Sequence, residues 1–270
     1  MNVGLIGMGN MGQMLVTALA SSNIFEPGEL MASTRDPEKL RRLAGALPNL
    51  RAAYSNRELA QHCQVIFLCL KPGETKAVLT DIAPYLTPDR LLVLITNTID
   101  IPKLEACVQS RVAKVIPSMV QSIQRGISLI MCGQRCTAHD KAFLIRLMGA
   151  ISDPVYIEES QARVASDLTS CGPAFISYIF RAMVHAARQY QPDLPVETLN
   201  DMVRKTASAT CELLAQTGLT FDDVITRVST PGGITADGIK VLDEQLAGVW
   251  EQVIETTLIK EEMKKGRVAL

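Results

Sequence analysis

Apolar positions along this chain keep two different rhythms. Up to about Glu159, short apolar runs at 3–6, 29–33, 64–70, 91–96 and 112–117 alternate with helix-like stretches at 37–45, 56–62, 74–85 and 100–109. Further runs at 127–132 and 155–157 predict strands at the far edge of the same sheet. Val65 to Leu70 is apolar without alternation, as a central parallel strand covered on both faces must be. Strands alternating with helices imply right-handed crossovers and an α/β, doubly wound, mostly parallel sheet. Beyond Glu159 the alternation stops, and helices are predicted around 174–187, 196–217, 221–228, 235–246 and 248–265. The pattern thus predicts two domains, 1–159 and 160–270, the second all-helical.

The first apolar run leads directly into Gly7-Met8-Gly9-Asn10-Met11-Gly12. Met11, Met14, Leu15, Ala18 and Leu19 then recur at helical spacing. Strand, Gly-x-Gly-x-x-Gly and helix in succession form the fingerprint of a Rossmann-like dinucleotide site. Gly7 permits the tight turn, Gly9 lets backbone approach a pyrophosphate, and Gly12 lets helix and strand pack closely. The helix N-terminus offers unpaired N–H groups and a positive dipole end to the phosphates.

In such sheets ligands bind beyond the carboxyl ends of the strands, so the residues following each run outline the crevice. They are Gly7 to Gly12, Ser33-Thr34-Arg35, Lys71-Pro72-Gly73, Thr96-Asn97-Thr98 and Pro117-Ser118, a set without acid or histidine. An NAD site wants Asp or Glu roughly 20 residues past the glycines, on the ribose hydroxyls. Here two hydroxyls and a guanidinium stand there instead, suited to a 2′-phosphate, which favours NADPH. Asp36 precedes Pro37 and reads as the cap of the next helix.

In the helical half, Gly172-Pro173 opens a helix in which only Ser177, Arg181 and His185 are strongly polar between Ala174 and Ala187, at i, i+4, i+8. One narrow polar stripe means that most of the circumference is to be buried, more than so small a domain can cover. A second copy of the chain is the expected cover, giving a homodimer. Val249, Trp250, Val253, Ile254, Thr257 and Leu258 are expected to form the buried face of the last helix, and the pairs Glu158-Glu159, Asp222-Asp223 and Glu261-Glu262 to be solvated. Ser229-Thr230-Pro231-Gly232-Gly233-Ile234-Thr235 interrupts this half just before a helix. Its two glycines, flanking hydroxyls and helix N-terminus make a nest of N–H donors for a small carboxylate.

Composition narrows the picture further. With 47% hydrophobic and 20% charged residues and a net charge of -1, the chain is globular and lacks the basic face that a nucleic-acid or membrane-surface partner would require. No apolar run approaches the ~18 residues of a membrane span. The first strand starts too early to leave room for a signal peptide, so a cytoplasmic location is expected. The seven cysteines are expected to be buried small hydrophobes. Cys132, Cys136 and His139 fit no common zinc spacing, and no metal is expected.

Gly7 to Gly12, Tyr54-Ser55-Asn56, Val65 to Lys71-Pro72, Cys171-Gly172-Pro173-Ala174-Phe175 and Thr230-Pro231-Gly232-Gly233-Ile234-Thr235 stand in the order and spacing of one family. On these motifs the whole chain resembles the pyrroline-5-carboxylate reductases, which make proline. The resemblance implies NADP(H) on Gly7, Met8, Gly9, Asn10, Met11 and Gly12, next to Ser33, Thr34 and Arg35 at the end of the second strand. It adds Asn56 near the adenosine ribose; Leu70, Lys71, Pro72, Thr96 and Asn97, at the strand ends, are expected to complete the crevice. It implies substrate on Ser229, Thr230, Gly232, Gly233, Ile234 and Thr235, with Thr235 as the catalytic candidate on the ring nitrogen or carboxylate. It also implies a helical domain interlocked with that of a partner, with dimers able to assemble further.

Three segments depart from the family pattern. Ile116-Pro117-Ser118 replaces Met-Pro-Asn, Leu168 to Phe175 replaces Ser-Gly-Ser-Gly-Pro-Ala-Tyr, and Thr230 replaces a serine. Ile-Pro-Ser resembles a divergent branch, the reductase-like proteins of the late competence operon in spore-forming bacteria. The implied reaction is reduction of the cyclic imine 1-pyrroline-5-carboxylate to L-proline. A protonated imine accepts hydride without a side-chain acid, which fits a crevice lacking one. The architecturally related β-hydroxyacid dehydrogenases need a lysine where this chain has Pro173-Ala-Phe-Ile176. The alternatives are another small imine or carbonyl acid as substrate, or an NADP-binding competence-related protein that does not catalyse.

Overall fold

The computed structural model describes residues 1–267. Its first compact unit comprises Met1–Gly172 and the chain from Thr257 onward, and its second Pro173–Thr256. The first unit contains β1 (Val3–Ile6), α1 (Asn10–Ser21), β2 (Leu30–Ser33), α2 (Pro37–Ala46), β3 (Leu50–Ala52), α3 (Asn56–His62), β4 (Val65–Leu68) and α4 (Pro72–Ile82). There follow β5 (Leu91–Leu94), α5 (Ile101–Glu105), β6 (Arg111–Ile116), β7 (Ile127–Cys132), α6 (Ala138–Gly149), β8 (Asp153–Tyr156) and α7 (Ala162–Thr169). The strands form one sheet in the order β3-β2-β1-β4-β5-β6-β7-β8. Every neighbouring pair is parallel except β6 with β7. The expected α/β, doubly wound, mostly parallel sheet is therefore present, with its strand order reversing between β1 and β4.

Alternate residues of each strand feed opposite faces. Val3, Leu5, Phe67 and Val93 join Leu15, Leu19, Phe143 and Leu147 on one side. Ile6, Ile66, Leu68 and Leu92 join Leu59, Leu79, Ile82 and Leu104 on the other. Full burial of each such side chain contributes about 1.5–3 kcal/mol, so two dry faces hold the strands in register. Local signals start the helices as read: the Asp36 carboxylate accepts the Lys39 N–H at 3.1 Å, with Pro37 opening α2.

Several elements differ from the expectations. The helix expected over 74–85 begins at Pro72 and ends at Ile82, because Pro84 in the following 3-10 turn has no N–H to continue the ladder. The stretch 100–109 keeps only α5, its last residues forming a turn. Strand β3 was not anticipated, since three residues are too few to show a rhythm. Nor were α6, opened by a reciprocal Thr137–Asp140 capping box, and α7. Only Cys63 and Cys69 are buried, whereas Cys132, Cys136 and Cys171 are half-buried and Cys107 and Cys211 exposed. Two acid pairs are not merely solvated. Glu159 pairs with Lys114, which is 1% exposed, and Glu261 is buried against Arg163 and Lys265.

The second unit contains most of α8 (Gly172–Tyr190), α9 (Val196–Thr217), α10 (Phe221–Val228), α11 (Ile234–Leu246) and the first half of α12 (Val249–Lys265). Phe175 and Trp250 meet edge to face at 6.2 Å. Val184 and Leu199 are the buried apolar side chains among the described residues of this unit, while Ile176, Tyr178 and Met183 of α8 stand open. The expected buried face of the last helix is likewise uncovered within one chain, with Val249, Trp250 and Leu258 exposed. Periodicity records that a face needs burial and does not say which surface provides it.

Candidate functional site

The register of the sheet sets one edge of the site. Ile6 pairs with Ser33 on one side and Leu68 on the other, so the turns after β1, β2 and β4 leave the sheet at one level. Gly7 has φ +97°, and a Cβ there would lie 2.6 Å from the Cys69 carbonyl oxygen and 2.8 Å from Leu70 Cδ2. A Cβ on Gly12 would lie 2.0 Å from the Gly7 carbonyl oxygen. Gly9, by contrast, precedes α1 in an extended conformation and has no protein atom within 4 Å of where a Cβ would stand. Two glycines close the turn and the third leaves backbone open at a helix N-terminus. Met8 is buried, so its side chain belongs to the core. Asn10 is exposed at the start of α1.

Around this turn the expected residues converge in part. Ser33 is buried and its hydroxyl donates to Asn56 Oδ1 at 2.8 Å, joining the end of β2 to the start of α3. Arg35 is 90% exposed, with Nη2 donating to Glu74 Oε1 at 2.5 Å. Glu74 also accepts the Lys71 N–H at 3.2 Å, tying Arg35 to the turn carrying Leu70, Lys71 and Pro72. The Thr34 hydroxyl faces the Asp36 N–H at 3.4 Å. After β5, the Thr96 and Thr98 hydroxyls pair at 2.9 Å. Asn97 is buried, donates to Ser166 of α7 at 2.8 Å, and leaves Oδ1 without a partner.

Sequence reading missed what stands beyond β5 and β6. A cavity of about 290 Å³ is lined there by Thr96, Asn97, Ile116, Arg163, Cys171 and Glu261. Arg163 donates to Asp167 at 2.7 Å, Glu261 at 3.1 Å and the Cys171 sulfur at 3.2 Å. The Thr257 hydroxyl donates to Asp167 at 2.5 Å. The i, i+4 spacing of Arg163 and Asp167 was visible, but Glu261 lies 98 residues from Arg163. Two of the three departing segments also meet, for buried Ser118 donates its hydroxyl to the Thr169 carbonyl at 2.9 Å.

The second constellation lies within the helical unit. Gly232 has φ +72° and Gly233 caps α11, its N–H donating to the Thr230 carbonyl at 2.9 Å. A Cβ on Gly233 would lie 2.7 Å from Thr230 Oγ1 and 3.0 Å from the Thr230 carbonyl oxygen, so any larger residue there must displace Thr230. Ile234 and Thr235 are exposed in the first turn of α11, where N–H groups have no acceptor within the helix. Ser229 Oγ is buried without a partner. Among the described residues no group of three or more His, Cys, Asp or Glu is placed to hold a metal ion, and no helix is long and apolar enough to cross a membrane.

Two family models match the chain. Residues 2–98 match the family described as NADP oxidoreductase, coenzyme F420-dependent, and residues 159–263 match that of pyrroline-5-carboxylate reductase dimerisation. The sheet, its glycine turn and these matches define an NADP-dependent oxidoreductase. ComE operon protein 4 of Bacillus subtilis is 32% identical over 262 residues, 97% of this chain and 96% of that one. Pyrroline-5-carboxylate reductase 3 of the same organism is 31% identical over 267 residues, 98% of this chain and 97% of that one. The chain belongs to the pyrroline-5-carboxylate reductase family. The solved structure of Plasmodium falciparum pyrroline carboxylate reductase with NADP bound shares its fold, with a TM-score of 0.84 at 23% identity over 99% of this chain and 98% of that one.

Proposed function

We propose that the protein reduces 1-pyrroline-5-carboxylate to L-proline with NADPH. The observation that carries this reading is the open backbone at Gly9, flanked by two glycines where a Cβ would run into backbone, with Ser33, Asn56 and Arg35 following the neighbouring strands. A dinucleotide fits this cradle: Gly9 and the first N–H groups of α1 hold the pyrophosphate, Ser33 and Asn56 the ribose, and Arg35 the 2′-phosphate. NADPH supplies the hydride when bound. Thr34, Leu70, Lys71, Pro72, Thr96 and Asn97 border the same crevice.

On the substrate side, Gly232, Gly233 and the N–H groups of Ile234 and Thr235 bind the carboxylate. Thr235 orients the imine by a hydrogen bond to its nitrogen or carboxylate. The protein's contribution is positioning and electrostatics, since an imine protonates readily without an enzymic acid. The match at 159–263 and the open apolar faces of α8 and α12 support a homodimer built through the helical unit. An NADPH-consuming reductase with free thiols accords with the cytoplasm.

Turnover of a different small imine or carbonyl acid is the second reading, with nucleotide binding without catalysis beside it. Both are favoured by the Ser118–Thr169 bond and by the Arg163 ion pairs, formed by residues in or near the departing segments. They are also favoured by the competence-operon relative. A steady-state assay of NADPH oxidation with pyrroline-5-carboxylate decides between them. Proline formation supports the first reading. NADPH binding with no turnover of that substrate refutes it.

A further inference from the structure

Strand β7 ends on Cys132, which faces Ala113 across the antiparallel ladder. The chain then turns so tightly that the Cys136 N–H donates to the Gly133 carbonyl at 3.1 Å. The turn is pinned from outside. A Cβ on Gly133 would lie 2.8 Å from the Val112 carbonyl and 2.5 Å from Glu105 Oε1. Arg135 donates to the carbonyls of Val108 at 2.6 Å and Ser110 at 3.1 Å. The Cys136 S–H donates to the Val112 carbonyl at 3.0 Å, beside the Ala113 that Cys132 faces. Two half-buried thiols therefore stand at the two ends of one pinned turn, against the consecutive β6 residues Val112 and Ala113, toward the amino ends of the parallel strands and away from the glycine turn.

We propose that Cys132 and Cys136 form a redox-active dithiol whose co-substrate is a low-molecular-weight disulfide such as oxidised glutathione. The Cys132 thiolate attacks one sulfur of that disulfide, expelling a thiolate and leaving a mixed disulfide. The expelled thiolate takes the Cys136 proton, and the Cys136 sulfur then attacks Cys132 and displaces the second thiol. One protein disulfide forms as one small disulfide is reduced to two thiols.

The surroundings assign the roles. When Cys132 ionises, the Cys136 S–H turns from the Val112 carbonyl to donate to it, which holds the Cys132 thiol below the usual range, and the Lys141 ammonium adds to this against burial and Asp140. The same bond pushes Cys136 upward, making it the resolving thiol, released once Cys132 is no longer anionic. Cys63 and Cys69 are pushed up to about 12 by burial and take no part.

The test requires neither nucleotide nor substrate, so it stands apart from the reductase reading. The full-length protein is equilibrated with oxidised and reduced glutathione, quenched with acid and digested with trypsin without reduction. Cleavage after Arg125, Arg135 and Lys141 places the two cysteines on separate peptides, 126–135 and 136–141. The expected result is those peptides joined by a disulfide. In Cys136→Ser the joined product disappears, and glutathione remains on Cys132. The proposal is overturned if 126–135 and 136–141 stay separate at glutathione ratios that already modify exposed Cys107 and Cys211. Alkylation of Cys132 at neutral pH is a second readout and slows several-fold in Cys136→Ala, while an unchanged rate overturns the assigned roles.

Discussion

Substituting the glycines of the first turn one at a time separates nucleotide binding from folding. In Gly9→Ala the new methyl meets no protein atom within 4 Å, and φ −67° with ψ −172° is ordinary extended backbone for alanine. Stability of the nucleotide-free protein is therefore expected to change by less than about 0.5 kcal/mol. The methyl nevertheless occupies the surface where a pyrophosphate must touch backbone. Losing one such charge-assisted hydrogen bond costs about 1.5–3 kcal/mol, which weakens NADPH roughly ten- to a hundredfold. In Gly12→Ala the methyl would stand 2.0 Å from the Gly7 carbonyl oxygen and 2.9 Å from Cys69 Cβ, so backbone must move. Overpacking of this kind costs roughly 1–3 kcal/mol, lowering Tm by about 2–4 °C per kcal/mol at this size. Fluorescence titration with NADPH and thermal unfolding without it measure the two effects. Wild-type affinity in Gly9→Ala would refute the placement of the pyrophosphate, and an unchanged Tm in Gly12→Ala would refute the tight packing of α1.

Arg35→Ala is expected to weaken NADPH about tenfold, the lower end for an exposed charge-assisted contact, and NADH hardly at all; equal losses in paired titrations would remove Arg35 from the 2′-phosphate. Thr235→Ala is expected to lower kcat by ~10²-fold, the scale of one well-placed donor, with NADPH affinity retained, and wild-type turnover would exclude it from the site. Glu159→Gln leaves the ammonium of buried Lys114 unpaired and is expected to cost roughly 3–5 kcal/mol in denaturant unfolding. Burial holds Lys114 below the ordinary lysine range, so the unfolded chain binds more protons there and stability gains as pH rises toward 10.5. Lys114→Met is expected to flatten that alkaline gain, and an unaltered pH profile would count against it. Native Cys63 and Cys69 are expected to resist alkylation at pH 8 while Cys107 and Cys211 react, as peptide mapping would show.

What could be read from the letters was whatever a short stretch decides by itself. Gly7, Gly9 and Gly12 after an apolar run required a turn of one kind, because only a residue without Cβ fits beneath the Gly7 and Cys69 carbonyls. Asp36 before Pro37 fixed the start of α2, and Val65 to Leu70 marked a strand covered on both faces. The same local logic placed Gly232 and Gly233 ahead of α11. The fold decided everything that rests on distant partners. Glu159 and Glu261 look like solvent-facing acids until β6 brings Lys114 and α7 brings Arg163 against them. Cys132 and Cys136 look like core hydrophobes until Gly133 folds them together. Ser118 and Thr169 lie in two separate departures from the family pattern until one hydrogen bond joins them. Rhythm and turn chemistry act over a few residues, whereas desolvation and ion pairing depend on which surfaces the completed sheet presses together.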